Sequence, residues 1–499
     1  MAEKDYFASL EPVLAQELER FHCPSLALGV IRKGEILFSG GFGQADREKG
    51  LPAGSKTLYQ IGSSSKAFTA ALCAILVDEG KLSWDQPVRE IAPEIRFYDA
   101  FTSDNVTLRD LLCHRTGVPR HEYSWYGNDF TRAELVEHVR YLEPNHPFRS
   151  IMQYNNYGYV LAGALIEKVT GLTWEACLEK YLFGPLGMTR TTAWLDDIEG
   201  DPDHAAPYGS LKEGMTEPPL IPFYRTSVED KEKGIGAPFG PAGSINSCPE
   251  DMLKWLCFHL GDGTWEGKKI LSPEALNELH KPAMLMTEPL DMPMDESTFH
   301  TYALGWFVEM YRGHKVVHHG GNINGFSAEV FMVPDLELGL VALTNADSCF
   351  LHLPLIRTIV DHYLEIEDGD WFRRYLEFTE KMTGSAQEII RAMSGDQVAG
   401  TALSHPLEAY TGEYERAGYG PCSVKAEDGK LLLHILGVDI PLTHFHYDML
   451  TTEGIVGELP PGIPVRFQTA DKGGGIDALT MPLVPNGELI RFVKKEQKE

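Results

Sequence analysis

Residues 61–66 read Ile-Gly-Ser-Ser-Ser-Lys and lead into an apolar, alanine-rich stretch that runs to about Glu79. Ser63 and Lys66 lie three residues apart at the start of a predicted helix. Residues at this spacing share one face of a helix, so the Lys66 ammonium group can reach the Ser63 hydroxyl. The helix N-terminus also favours negative charge that develops there. The stretch therefore predicts an activated serine nucleophile, and the alternative is an N-cap serine followed by a solvated lysine.

A second polar cluster spans residues 153–158, Gln-Tyr-Asn-Asn-Tyr-Gly, on a loop that enters an apolar helix predicted over residues 160–169. A tyrosine close to a lysine can accept the proton of a serine, which makes Tyr154 a candidate acid/base residue. An asparagine side chain here can both donate and accept hydrogen bonds to an amide substrate. The alternative for Tyr154 is a packing aromatic residue whose hydroxyl is satisfied by a neighbour.

A third cluster spans residues 318–326, His-His-Gly-Gly-Asn-Ile-Asn-Gly-Phe, at the end of a predicted strand. Glycines at such a position let a substrate backbone approach closely. An exposed backbone amide there can complete an oxyanion hole. The cluster therefore predicts a substrate-binding strand end.

Strand and helix patterns divide the chain into three parts. Strands are predicted near both ends of residues 1–366, at 25–32 and 35–38 as a hairpin and at 315–319, 328–333 and 338–344. The region between them, from Leu108 to about Leu260, is mainly helical, and a helix is predicted from about Leu353 to Glu365. A sheet built from both ends around a helical middle is an α+β arrangement. Residues 367–401 form a predicted helical linker, and residues 402–499 contain short strands separated by turn residues, which predicts a separate all-β domain.

Charge and composition narrow the function classes. The chain has 44 basic and 72 acidic residues and a net charge of −28, which repels nucleic acid phosphates and anionic membranes. The first residues lack the pattern of a signal peptide, and no apolar run is long enough for a membrane span. The eight cysteines are scattered without a C-x-x-C pair. We therefore expect a cytoplasmic protein with no nucleic acid or membrane partner.

The three polar clusters, in this order, resemble the serine β-lactamase and penicillin-binding superfamily. The branch concerned includes class C β-lactamases, D-aminopeptidases, D-alanyl-D-alanine carboxypeptidases and related esterases. Its motifs are S-x-x-K, Y-x-N and a strand motif K-T-G or H-x-G. Here they stand as Ser63 to Lys66, Tyr154-Asn155-Asn156 and His319-Gly320-Gly321. Supporting stretches are TLRDLLCHRTG at 107–117, YLFGPLGM at 181–188 and PAGS at 241–244, and the likeness covers roughly residues 8–364.

The resemblance implies a β-lactamase/transpeptidase-like fold and a catalytic role for three residues. Ser63 is the expected acylated nucleophile, and Lys66 lowers its pKa and shares its proton. Tyr154 is the expected general acid/base that returns the proton to the leaving group. Because the base is disputed in related enzymes, Lys66 and Tyr154 are assigned jointly.

The resemblance also implies a substrate-binding set. Its members are Asn156, His319, Gly320, Gly321 and Asn322. Asn156 is expected to bind the substrate amide, and the backbone amides of Ser63 and Asn322 to form the oxyanion hole. His319 takes the position of the cation in the third motif. If its imidazolium form is required, activity should fall as the pH rises through its pKa.

The histidine at this position disfavours efficient β-lactamase activity, because a lysine gives a fixed charge for a substrate carboxylate and a histidine is mostly neutral at pH 7. We therefore expect a peptidase or amidase that acts through an acyl-enzyme on D-amino acid-containing peptides or amides. The alternatives are a carboxylesterase or acyltransferase and, from another class, a non-catalytic binding or scaffold protein. Weak β-lactamase activity and homo-oligomer formation stay open. Loops at 123–129 and 196–239 are expected to shape the pocket.

No cofactor is implied, and the expected partner is a small molecule or short peptide. The histidines at 444 and 446, and those at 314, 318 and 319, could also be metal ligands, but neither set has a suitably spaced carboxylate or cysteine. We therefore expect no metal. The C-terminal residues resemble a small lipocalin-like barrel, for which a capping or assembly role is expected.

Overall fold

A nine-stranded antiparallel sheet forms the centre of the fold. The computed structural model describes residues 3–209, 236–287, 292–367, 369–453, 461–470, 474–484 and 488–496. The strands are β1 (Ser25–Arg32), β2 (Glu35–Asp46), β3 (Leu51–Pro52), β4 (Met284–Leu285), β5 (Ser297–Tyr302), β6 (Phe307–Tyr311), β7 (His314–Ile323), β8 (Phe326–Val333) and β9 (Leu338–Thr344). Their order across the sheet is β3-β2-β1-β9-β8-β7-β6-β5-β4. β1 therefore pairs with β9, which confirms the predicted α+β sheet built from both ends of the chain.

Helices cover both faces of this sheet and fill the region between its two halves. Their bounds are Glu3–Arg20, Ser65–Asp78, Val88–Ile91, Ala100–Asn105, Leu108–Leu112, Arg132–His138, Tyr157–Thr170, Trp174–Leu178, Gly184–Leu186, Leu195–Gly200, Gly240–Gly243, Pro249–Leu260, Pro273–Leu279, His352–Tyr363 and Trp371–Ser394. A short antiparallel ribbon joins Tyr59–Gln60 to Asn246–Ser247, just before the Ser63 turn. Among the described helices, none is both long and apolar enough to cross a bilayer.

Successive side chains of β1 point to opposite faces of the sheet and are buried on both, which explains why both faces are covered. Leu26 and Leu28 pack in an apolar cluster with the Glu3–Arg20 and His352–Tyr363 helices. Ala27 and Ile31 belong to the larger cluster on the opposite face, which includes the Ser65–Asp78 helix. Successive side chains of a strand point to opposite faces, so a strand without polar alternation is buried on both sides.

The C-terminal residues form a closed antiparallel barrel of eight strands. The strands are β10 (Gly412–Glu415), β11 (Cys422–Glu427), β12 (Lys430–Ile435), β13 (Val438–His446), β14 (Met449–Thr452), β15 (Pro464–Thr469), β16 (Ile476–Pro482) and β17 (Leu489–Lys494). The all-β prediction is confirmed, although the sequence pattern missed β13, β14 and β17. Of the polar excursion at 196–239, residues 210–235 lie outside the described residues.

Candidate active site

The predicted nucleophile lies on a tight turn rather than within a helix. Gly62–Ser64 form a single 3₁₀ turn, and the α-helix begins at Ser65. The turn is fastened on one side by a 2.9 Å hydrogen bond from Ser64 Oγ to the carbonyl of His319. On its other side the amide of Ile245 donates to Ser65 Oγ at 3.1 Å. Ser63 itself is only half-buried, so its hydroxyl is accessible.

Lys66 reaches the nucleophile as its spacing predicts. Its Nζ lies 2.9 Å from Ser63 Oγ and donates to the carbonyl of Ala242 at 2.8 Å. The side chain is fully buried. Burial lowers the pKa of Lys66 well below its ordinary value, and the nearby Arg120 charge lowers it further, while the Glu122 carboxylate acts in the opposite direction. The environment therefore favours a neutral amine that can take up the proton of Ser63.

Tyr154 is the third member of this group. Its ring centroid lies 4.9 Å from Lys66 Nζ. The pKa of Tyr154 is raised above its ordinary value because its hydroxyl is removed from water, an effect larger than the lowering by its hydrogen bond with Ser63 and by Arg120. The resting phenol is therefore neutral and can donate a proton. His114 packs beside it, with ring centroids 4.4 Å apart.

His319 is nearly fully buried, and its hydrogen bonds fix its tautomer. Nδ1 lies 2.6 Å from the carbonyl oxygen of Gly320, which can only accept, so Nδ1 carries the proton. In the neutral ring Nε2 then accepts from the Tyr302 hydroxyl at 2.9 Å. Burial, followed by the charge of Lys66, lowers the pKa of His319 well below its ordinary value. The lowered pKa favours a neutral imidazole, and the pH dependence of activity tests whether an imidazolium is required.

Two glycines bring the strand of the third motif against the nucleophile turn. Gly62 has a φ of +48°, and a Cβ added to it would lie 3.0 Å from the Asn322 amide nitrogen. A Cβ on Gly321 would lie 1.9 Å from the Ile61 carbonyl oxygen and 3.0 Å from the Ser63 amide nitrogen. The backbones are therefore in direct contact, which brings the two predicted oxyanion-hole amides, those of Ser63 and Asn322, to one place.

The remaining predicted binding residues have specific surroundings. The Asn322 side-chain oxygen accepts from Ser327 Oγ at 2.8 Å, so this side chain fixes the loop after the strand. A Cβ on Gly320 would lie 2.7 Å from a Glu329 carboxylate oxygen. Asn156 stands just before the Tyr157–Thr170 helix and is nine-tenths buried. All eight predicted site residues thus belong to one region or to its immediate support.

Sequence reasoning missed a charged pair in this region. Glu122 accepts a 2.7 Å hydrogen bond from Asn156 Nδ2 and forms an ion pair with Arg120. Arg120 in turn lies 5.7 Å from the centre of the Tyr154 ring. The charged side chains of the sequence Arg-His-Glu at 120–122 were the available signal, but nothing in the sequence links them to Asn156.

The barrel contacts the loop that carries Glu122. The Tyr419 hydroxyl and His121 Nδ1 are 2.8 Å apart. A Cβ on Gly127 would lie 2.2 Å from the Leu436 carbonyl oxygen, so the turn between β12 and β13 touches this loop directly. Arg416 also forms an ion pair with Glu143. The barrel therefore packs against one wall of the site.

Within the described part of the chain, no group of three or more histidine, cysteine, aspartate or glutamate side chains is arranged to hold a metal ion. The catalytic group instead consists of a hydroxyl, an amine and a phenol. A serine beside a neutral lysine and a proton-donating tyrosine can perform acyl transfer without a metal-bound nucleophile.

The chain belongs to the Beta-lactamase family, whose model matches residues 10–352. It has the fold of the serine hydrolases of that family, followed by a region, residues 396–494, that matches a domain of unknown function, DUF3471. The chain is 30% identical over 503 aligned positions to "Unguisins hydrolase ungD" of Aspergillus violaceofuscus, covering 92% of this chain and 85% of the relative. It is 28% identical over 443 positions to "Unguisins hydrolase ungD'" of Aspergillus campestris, covering 85% and 78%.

Solved structures share the fold at lower sequence identity. The octameric penicillin-binding protein homologue from Pyrococcus abyssi is 22% identical, with a TM-score of 0.62, and the match covers 98% of this chain and all of that one. A class C β-lactamase is 20% identical with a TM-score of 0.57, covering 74% of this chain and 98% of that one. The first match includes the barrel as well as the catalytic region.

Proposed function

We propose that this protein is a serine hydrolase that acts through an acyl-enzyme on Ser63, with amide or peptide bonds as its substrates. The observation that carries the proposal is the 2.9 Å contact between Ser63 Oγ and the Nζ of a fully buried Lys66 whose pKa is lowered. A buried neutral lysine within hydrogen-bond distance is a sufficient activator for a serine nucleophile.

In this mechanism Ser63 Oγ attacks the substrate carbonyl while its proton passes to Lys66. The backbone amides of Ser63 and Asn322 stabilise the oxyanion. Tyr154, a neutral phenol, donates a proton to the leaving nitrogen and regains one from the Lys66 ammonium group. Water then attacks the acyl-enzyme, with the same pair removing its proton and returning a proton to Ser63, in accordance with microscopic reversibility.

Two features bear on the choice of acyl donor. The relatives from two Aspergillus species are named as hydrolases of unguisins. A neutral, buried His319 also lacks the fixed positive charge of a third-motif lysine, which disfavours efficient β-lactam hydrolysis. D-amino acid-containing peptides remain our first candidate, and a carboxylesterase or acyltransferase is the second, because the same catalytic group serves esters.

The test is intact-mass spectrometry of the protein mixed separately with a D-amino acid amide, a short-chain ester and a β-lactam. We expect an adduct on Ser63 that forms and decays with the amide, and no adduct with the Ser63→Ala variant. Preference for the ester would replace the amidase proposal by an esterase. Turnover that persists in Ser63→Ala would refute the nucleophile, and absence of adduct and turnover with every donor would favour a non-catalytic binding protein.

We further propose a cytoplasmic location, which is supported by the eight free cysteines, seven of them buried, because free thiols are typical of a reducing compartment. We also propose that this chain forms a homo-oligomer, because the penicillin-binding protein homologue from Pyrococcus abyssi is named as octameric. The contacts between the barrel and the loop at residues 121–128 support a role for the barrel in capping one wall of the site. Size-exclusion chromatography with light scattering tests the assembly state.

A further inference from the structure

His114 follows the short helix Leu108–Leu112 in a backbone conformation that histidine seldom adopts. Its φ is +58°, in the left-handed region, and it stands one residue beyond the C-cap residue Cys113. This position is most often glycine and sometimes asparagine, because a larger side chain is disfavoured there. The residue is also almost fully buried, with 1% of its surface exposed. The contacts of the side chain explain why a histidine occupies this position.

His114 binds the backbone on both sides of Tyr154. Its carbonyl oxygen accepts a hydrogen bond from the Gln153 amide at 2.8 Å. Its Nδ1 lies 3.1 Å from the amide nitrogen of Asn155. A backbone amide can only donate, so Nδ1 is the acceptor, and Nε2 carries the proton of the neutral imidazole. The two residues that flank Tyr154 are thus held by one residue from another part of the chain.

The His114 ring also lies against the ring of Tyr154. The two centroids are 4.4 Å apart, and the ring planes are inclined by 37°. The same imidazole lies 4.7 Å from the Tyr302 ring and 5.3 Å from the Tyr159 ring. Among the residues that the structure describes, its Nε2 is buried and has no hydrogen-bond partner. The imidazole is therefore held by the aromatic rings and by the Asn155 amide.

The hydrogen bond with Asn155 requires a neutral His114, because a proton on Nδ1 would remove the acceptor. Burial lowers the pKa of His114 well below its ordinary value, and the charge of Lys66 lowers it further. The imidazole is therefore neutral at pH 7, and both backbone hydrogen bonds beside Tyr154 are in place there.

We propose that His114 is a positioning residue for Tyr154, which holds the phenol where it can give its proton to the leaving group. The inference rests on the proposed function and deepens it. A general acid acts only within hydrogen-bond reach of the atom that it protonates. A displacement of about 1 Å can slow such a step about 100-fold. Because Lys66 contacts Ser63 directly, loss of His114 should fall mainly on protonation of the leaving group.

Two esters with the same acyl group separate this protonation from the rest of acylation. The p-nitrophenyl ester of N-acetyl-D-alanine releases a stable anion that needs no proton. In the ethyl ester the C–O bond breaks as the proton of Tyr154 passes to the leaving oxygen, and Tyr154 regains a proton from the Lys66 ammonium group. The ratio of the two kcat/KM values, p-nitrophenyl over ethyl, therefore rises when the general acid fails. A fault that slows both esters equally leaves this ratio unchanged.

Glycine and asparagine both tolerate a left-handed backbone, so each can replace His114 without strain. His114→Gly loses the acceptor and the ring and should raise the ratio about 100-fold. His114→Asn keeps an acceptor in the place of Nδ1 and loses only the ring, so it should raise the ratio about three- to tenfold. Tyr154→Phe gives the reference value, a rise of at least about 100-fold. The control is His352→Asn, at a buried histidine of the His352–Tyr363 helix, and it should keep the wild-type ratio.

The outcomes separate this inference from the proposed function. Wild-type ratios in folded His114→Gly and His114→Asn, with a raised ratio in Tyr154→Phe, would overturn the inference and leave the serine hydrolase standing. If His114→Gly does not fold, an unchanged ratio in His114→Asn is sufficient to overturn the inference. An unchanged ratio in Tyr154→Phe, or a wild-type protein that cleaves only the p-nitrophenyl ester, would remove the general-acid role of Tyr154 and the inference with it. Hydrolysis of neither ester beyond that seen with Ser63→Ala would overturn the proposed function as a whole.

Discussion

Replacing Arg132 by methionine should remove a cation that holds two carboxylates, Glu167 and Glu175, within the helical region. Arg132 Nη2 lies 2.7 Å from Glu175 Oε1, and the two side chains are 3% and 2% exposed. Nη1 contacts Glu167 at 2.5 Å. The guanidinium also donates to the carbonyls of Ala237 and Pro238. Loss of the cation leaves Glu175 charged and buried with no compensating charge from this position.

Breaking a buried pair by removing one partner costs about 3–5 kcal/mol. We therefore expect Arg132→Met to lower the free energy of unfolding by this amount, a large share of the roughly 5–15 kcal/mol typical of a domain. Urea unfolding at pH 7.5, followed by tryptophan fluorescence, measures the loss. The matched control is Lys168→Met at the exposed pair with Glu94, where 40% and 54% of the side chains are exposed. That change should cost no more than about 1 kcal/mol.

The double variant Arg132→Met with Glu175→Gln separates the buried charge from other effects. Removal of the negative charge should recover at least half of the stability lost in the single variant. Equal losses in Arg132→Met and Lys168→Met would refute the reasoning, because the burial of the charge would then carry no cost. A double variant as unstable as the single one would assign the loss to the carbonyl contacts instead.

Three further predictions follow from the site and the core. Gly321→Ala should slow the acylation of Ser63 about 100-fold, because its Cβ would lie 1.9 Å from the Ile61 carbonyl oxygen and displace strand β7. The control is Gly200→Ala, where the added Cβ has no neighbour within 4 Å, and Ser63 of this variant should be acylated at the wild-type rate. The kcat/KM of the proposed hydrolase should rise with pH as Lys66 loses its proton. It should show no fall as the pH rises through 6.5, because burial and the nearby Lys66 lower the pKa of His319. A fall of kcat/KM in that range would contradict a neutral imidazole. Burial lowers the pKa of His352 from 6.5 to about 4, so its contribution to stability is present above pH 6.5 and lost as the pH falls towards 4. Between pH 7.5 and 5.5 the free energy of unfolding should fall by about 1.4 kcal/mol because of His352. Equal losses of stability in the wild type and in His352→Gln would exclude His352 as the cause.

The sequence by itself determined the parts of this protein that depend on neighbours along the chain. The spacing of Ser63 and Lys66 is a property of one helical turn, and the structure has their atoms 2.9 Å apart. Apolar strands such as β1 and β9 were predictable because both faces are buried. The strands β13, β14 and β17 of the barrel were not. β13 mixes apolar and polar side chains, β14 has only four residues, and β17 has Arg491 within its apolar residues, so none of them has a long continuous apolar run.

Only the tertiary structure decided the charge states and orientations within the site. The carbonyl that anchors Lys66 belongs to Ala242, 176 residues away, and Glu122 lies 34 residues before the Asn156 that it orients. His319 resembles a cation position in the sequence, yet burial and the proximity of Lys66 favour its neutral form. The physical reason is that propensity and periodicity act over a few residues. The pKa of a side chain and the direction of its hydrogen bonds depend on every group that the fold packs around it.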